Sequence, residues 1–276
     1  MRPRTLACAS AIAIAHVAAA VAPTRAHAAP PLNGVNFISV CGFSHRGPDD
    51  PIVYPGRPGY SHDHSFVGNT STNAFSTPAT LRAAGTTCSR PGDTAAYWAP
   101  TLFAGGAPVP PVDAIVYYRR LTDAKLRAFP PGLEIVGGNS HASAPQSILV
   151  TYWDCGNLSD VRRSSDVPDC PAGSNLRLIV NFPDCWNGKS LDSPDHRSHM
   201  AYSRAGRCPA RYPVALPAIS LAYRYEPPVG RPADIALASG GQYSAHADFI
   251  NAWNQPTLVK LVASCLNRFR HCGTGS

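Results

Sequence analysis

Beyond residue 28 the sequence has no run of about 18 uninterrupted apolar residues, so nothing there reads as a membrane span. It has no Lys/Arg-rich run and no basic stripe interleaved with aromatics, which argues against nucleic acid as a partner. No Cys-x-x-Cys spacing occurs, and a thiolate zinc site loses its usual signature. Gly-x-Ser-x-Gly, Gly-x-x-x-x-Gly-Lys-Ser/Thr, Gly-x-Gly-x-x-Gly and His-Glu-x-x-His are all absent. Serine hydrolase, P-loop nucleotide and dinucleotide readings therefore have no foothold. There is also no internal repeat and no low-complexity linker.

What is present begins with the pattern expected of a leader. Arg2 and Arg4 precede an Ala-rich apolar run from Leu6 to Val21, and Ala26-His27-Ala28 has the small-x-small pattern of a secretory cleavage site. Residues 1–28 are expected to be a signal peptide, with the mature chain starting at Ala29 and secreted. Residues 29–276 are expected to form a single disulfide-bonded domain acting as a monomer. Without Arg2, Arg4 and Arg25 the formal charge falls from +7 to +4, too mild and too evenly spread to argue for nucleic acid. Eight cysteines remain after Cys8 leaves, an even set that predicts four disulfides in an oxidising compartment. Cys265 with Cys272 is the most economical pair.

With 28 Pro and 22 Gly, punctuation is dense and the apolar segments between marks are short. That pattern favours strands. Strands are expected over Val35–Val40, Ala95–Phe103, Ala114–Arg119, Leu133–Val136, Ile148–Trp153, Leu176–Phe182 and Ile219–Tyr225, each rich in β-branched or aromatic residues. A C-terminal helix is expected where Leu258, Leu261, Val262, Cys265 and Leu266 share one face, and a short helix from Ala247 through Trp253. The fold class is mainly β: a single-domain, two-layer sandwich or jelly-roll-like architecture with long loops and few helices.

Histidine and carboxylate carry the chemistry. Ser61-His62-Asp63-His64 places two imidazoles on one face, roughly 6.5 to 7 Å apart along an extended chain. Asp195-His196-Arg197-Ser198-His199 and His246-Ala247-Asp248 repeat the theme. Any one of these histidines is readily a hydrogen-bonded structural residue; three clusters together suggest a shared site. Two chemistries stay open. As a metal site for zinc or copper, His62 and His64 supply one edge and His199 and His246 close it, with Asp195 or Asp248 orienting or ligating. As an acid/base site, a histidine takes a proton from sugar with Tyr202 or Tyr243 as partner acid, while Asn69 or Arg197 neutralises developing charge. His196 is expected to be less central than His199. Tyr202 and Tyr243 also suit core packing with a satisfied hydroxyl.

The motifs Phe43-Ser44-His45, Asp49-Asp50-Pro51-Ile52-Val53, Ser61-His62-Asp63-His64 and Gly68-Asn69-Thr70 resemble a known secreted family, and so do three later ones. Those are Phe182-Pro183-Asp184-Cys185-Trp186-Asn187-Gly188, Asp195 to Tyr202, and His246-Ala247-Asp248-Phe249. The family is the "domain of unknown function" numbered nineteen-ninety-six, of fungi and actinomycetes. The resemblance implies export and motif positions at Asp50, His62, His64, Asn69, Asp195, His196, His199, His246 and Asp248. Fusion of some fungal members to modules associated with cell-wall polysaccharide makes an extracellular polysaccharide or cell-wall polymer the expected partner. The function expected is that of a hydrolase or lyase using the His/Asp cluster, with metal assistance open; the alternatives are a glycan- or wall-binding protein and a metal-binding protein.

Overall fold

The structure, a computed structural model, describes Met1 and residues 34–156, 163–227 and 229–274. The expected signal segment lies outside the described residues. Pro31–Ser276 clusters as one unit. Its strands begin with β1 (Asn36–Gly47), β2 (His64–Gly68), β3 (Ala96–Pro100), β4 (Leu102–Ala104) and β5 (Ala107–Val109). β6 (Asp113–Arg119), β7 (Glu134–Gly138), β8 (Thr151–Asp154), β9 (Leu176–Asn181) and β10 (Cys185–Trp186) follow. β11 (Met200–Ala201), β12 (Val214–Ala215), β13 (Ala218–Tyr225), β14 (Ile235–Leu237) and β15 (His246–Ile250) complete the set.

Nine of these strands form one antiparallel sheet in the order β7-β15-β3-β2-β1-β6-β13-β9-β8, beside two three-stranded sheets, β11-β10-β12 and β14-β4-β5. The large sheet curls on itself. At Gly137 of β7 a Cβ would lie 3.2 Å from Val180 Cγ1 and 3.1 Å from the Asn181 carbonyl, both on β9, so strands near opposite edges of the sheet meet. The enclosed face buries Phe37, Tyr118, Val180, Leu221, Tyr223 and Phe249 in a single apolar cluster. The mainly β expectation holds, with two halves of one sheet supplying both layers.

Over β2, β3, β15 and β7 the opposite face is also covered. Phe66, Trp98, Val136 and Ile250 pack there against Ile52 from the 48–63 loop and Leu81 from helix α1 (Pro78–Ala83). The C-terminal helix α2 (Gln255–Ser264) forms as its apolar spacing predicts, with Leu258 and Val262 buried and Asn254 capping its first turn by accepting from the Thr257 N–H. The short helix expected from Ala247 does not form. Ala247–Ile250 belong instead to β15, because Ala247 and Phe249 enter the core while His246, Asp248 and Ile250 take the other face, a period of two. Four disulfides join Cys41–Cys88, Cys155–Cys170, Cys185–Cys208 and Cys265–Cys272.

Candidate functional site

The sheet register assembles the site. His64 opens β2 and faces Pro100 of β3, while Phe66 faces Trp98. Trp98 in turn pairs with Asp248 of β15, and Asp248 with Val136 of β7. His246, two residues before Asp248, faces Gly138. Alternation along each strand therefore puts His64, Asp248 and His246 on the outer, covered face. Gly138 has φ +78°, and a Cβ there would lie 2.5 Å from the Ala245 carbonyl and 2.8 Å from His246 Cα. Only glycine lets β7 approach β15 closely enough to seat His246 here.

Three imidazoles meet at this point. His62 Nε2 lies 3.2 Å from His246 Nε2, and His64 Nε2 lies 3.5 Å from the same atom. The rings of His62 and His64 are 4.3 Å apart between centroids. Two of the tautomers are set by backbone carbonyls: His64 Nδ1–H donates to Asp49 O at 2.9 Å, and His246 Nδ1–H donates to Ser244 O at 3.0 Å. In the neutral rings both Nε2 atoms consequently carry lone pairs. Burial holds all three rings neutral, lowering His62 to about 4 and His246 to about 3 and pushing His64 well down.

Two carboxyls sit beside the imidazoles. Asp248 is 1 % exposed, and neither of its carboxyl oxygens has a hydrogen-bond partner among the described residues. Its Oδ2 is 4.0 Å from His246 Nε2. Burial first, and the nearby Asp50 second, raise its pKa well above the usual carboxylate range. Asp50 is also raised by burial, against the backbone N–H groups of Ile52 and Val53 that donate to its Oδ1. Two overlapping groups thus lie at ligand spacing, His62, His64 and His246 on one side and Asp50, His64 and Asp248 on the other.

Above this floor opens a cavity of about 270 Å³, whose lining includes Asp50, Tyr54, His141, Asp195, His196 and Arg197. Arg197 donates to the Gly138 carbonyl at 2.6 Å, tying the 195–198 turn to the strand that faces His246. His196 has φ +56°, and its Nδ1 pairs with Asp192 at 2.8 Å. On the rim Tyr54 and Tyr60 lie 5.8 Å apart between centroids, and the Arg57 guanidinium covers Tyr60 at 3.5 Å.

Other candidates fall elsewhere. His199 is not in the imidazole group: its Nδ1 is engaged by Ser193 Oγ at 2.9 Å and its Nε2 donates to the Glu134 carbonyl at 2.7 Å. It ties the 190s loop to β7, and His196 is the histidine of that window that reaches the cavity. Asp195 lines the cavity but spends its carboxylate on the turn, accepting from the Ser198 hydroxyl and N–H, the Ser193 hydroxyl and the Arg197 N–H, which hold its pKa down. Asn69 is buried, with its amide donating to Leu81 O and Thr94 O. Tyr202 donates to the Asn181 carbonyl and Tyr243 to Asp166, so neither hydroxyl reaches the imidazoles. Sequence reasoning missed Tyr54 and His141, both of which line the cavity. For His141 the only available signal was its place three residues after Gly138.

Residues 50–253 match the family model described as "Domain of unknown function (DUF1996)". The chain belongs to this family. The matched segment runs from Asp50 past Asp248, so the whole floor lies within the family domain. No curated protein and no solved structure matches the chain.

Proposed function

We propose that this DUF1996 protein is a secreted enzyme, a hydrolase or lyase acting as a monomer on an extracellular polysaccharide or cell-wall polymer. The observation that carries the reading is a buried group of neutral imidazoles beside an unpartnered Asp248, at the base of a cavity open to solvent. Buried titratable groups gathered in a cleft are the usual mark of a reacting centre. The imidazole group, with Asp248 beside it, is suited to activate water or accept a proton. Arg197 stands where it would stabilise negative charge developing on substrate. The exposed Tyr60 beside Tyr54 offers rings on which sugar C–H faces pack. Export is supported by four disulfides and by the leader-like N-terminus; among the described residues no helix is long and apolar enough to cross a membrane.

The test is product release from a panel of neutral and acidic wall polysaccharides, read as new reducing ends for hydrolysis and as unsaturated sugar absorbance for elimination. Wild type should turn over at least one polymer, and His246→Ala should lower kcat by about 100-fold or more while polymer binding persists. Retained polymer binding with no turnover by wild type would make the protein a glycan-binding module instead.

A further inference from the structure

The imidazole floor has two features that hydrogen bonding among the described residues does not explain. First, His64 Nε2 and His246 Nε2 lie 3.5 Å apart with no hydrogen to place between them, since each ring has committed its N–H to a backbone carbonyl on the Nδ1 side. A His62 Nε2–H donated to His246 would account for the 3.2 Å contact but leaves the His64 lone pair facing a second lone pair. Second, the Asp248 carboxyl is buried with both oxygens unpartnered. A buried polar group without a partner calls for a specific cause, and an ion is one of the few available.

We infer that His62, His64 and His246, with Asp248 as an oxygen donor, bind one divalent transition-metal ion. A metal–nitrogen bond of about 2.0 to 2.1 Å in a tetrahedral site places two ligand nitrogens roughly 3.3 Å apart. The observed separations of 3.2 and 3.5 Å bracket that value, so the imidazoles already stand at ligand spacing. Asp248 Oδ2 stands 4.0 Å from His246 Nε2, and Asp248 lies at ligand spacing from His64 together with Asp50. The outward partners match as well: metal-bound imidazoles characteristically donate their other N–H to a carbonyl or carboxylate, as His64 does to Asp49 and His246 to Ser244. Three nitrogens and one oxygen suit zinc or copper and are a poor set for calcium or magnesium, which take mainly oxygen. His62, His246 and Asp248 border the cavity, so an ion can reach the site from solvent. A second acidic and sulfur-containing group, Cys41, Cys88 and Asp93, is no competitor, because its sulfurs are joined in a disulfide.

The inference deepens the enzymatic reading above and is separable from it, because the metal is measured without any polymer. The secreted protein, with disulfides intact, is stripped with chelator, dialysed and titrated with zinc by calorimetry, then with copper(II). Bound metal is counted after gel filtration, and cobalt(II) loading is followed by its visible absorption. One zinc per chain with sub-micromolar affinity is expected. His64→Ala and His246→Ala should each weaken binding by about 100-fold or more, and Asp248→Asn by about 10-fold. His271→Ala, at an exposed histidine outside the cavity, should leave zinc affinity unchanged. Near-UV circular dichroism checks each fold. If a buried variant fails to fold, half-buried His62→Ala supplies the same comparison. Binding of less than one zinc by wild type, or equal affinity in the His62, His64 and His246 variants, would overturn the assignment.

Discussion

Asp93 shows how a single buried carboxyl affects the molecule as a whole. It is 0 % exposed and accepts from the Tyr97 hydroxyl; Tyr97 in turn contacts the Tyr118 hydroxyl, which receives the Trp253 indole N–H at 2.8 Å. Burial raises its pKa from 3.8 to about 7 despite those donors. Between those values the folded protein keeps a proton that the unfolded chain has released, so the stability this group contributes is complete below pH 4 and is lost as pH rises through 7. The fall amounts to at most about 4 kcal/mol. Urea unfolding of Asp93→Asn across this range should give a curve flatter than wild type; parallel curves would exclude Asp93 as the source. At this same scale the functional site was only partly legible in the sequence. His62, His64, His246 and Asp248 were visible as clusters because reactive residues were close along the chain. The exchange of His199 for His196 at the cavity was not, because it turns on a left-handed backbone at His196 that a non-glycine residue seldom adopts.

Among the elements, β1 is the best tied strand. Cys41 on β1 is joined to Cys88 across 47 residues, and Cys265–Cys272 closes only 7 and fixes the C-terminal tail, whose Gly273 carbonyl accepts from the Ile38 N–H at 2.8 Å. Loop-closure entropy scales with the logarithm of loop length, so loss of the first bridge should cost about 4 kcal/mol and loss of the second about 2. Chemical unfolding of Cys41→Ala/Cys88→Ala and Cys265→Ala/Cys272→Ala variants tests that order, and equal losses would contradict it. Strand positions were legible because Pro and Gly bound short β-branched runs, as at Ala114–Arg119 and Leu176–Phe182. β15 was misread because its Phe249 and Trp253, three residues past the strand's end, happen to be four residues apart. The six residues of α1 carry too little periodicity to read; they are held by Thr77 and Thr80, which cap each other's backbone N–H groups.

For the whole molecule, the curled sheet separates two tasks. Its inner face holds a continuous apolar core, while the outer face over β2, β3 and β15 carries imidazoles and carboxyls under the 48–63 loop. That loop is pinned beside the floor by the His64–Asp49 bond and by Asp63, whose carboxylate accepts from Thr101 and pairs with Arg46. His62 and His246, 184 residues apart in sequence, thereby come into contact across a rigid frame. The proposed chemistry depends on that convergence. Its most direct test is a crystal of the secreted protein soaked in zinc and measured on both sides of the zinc absorption edge. One strong anomalous peak about 2.1 Å from Nε2 of each of His62, His64 and His246 is the expected result. Peaks confined to surface histidines such as His141 or His271, with none among these three rings, would contradict it.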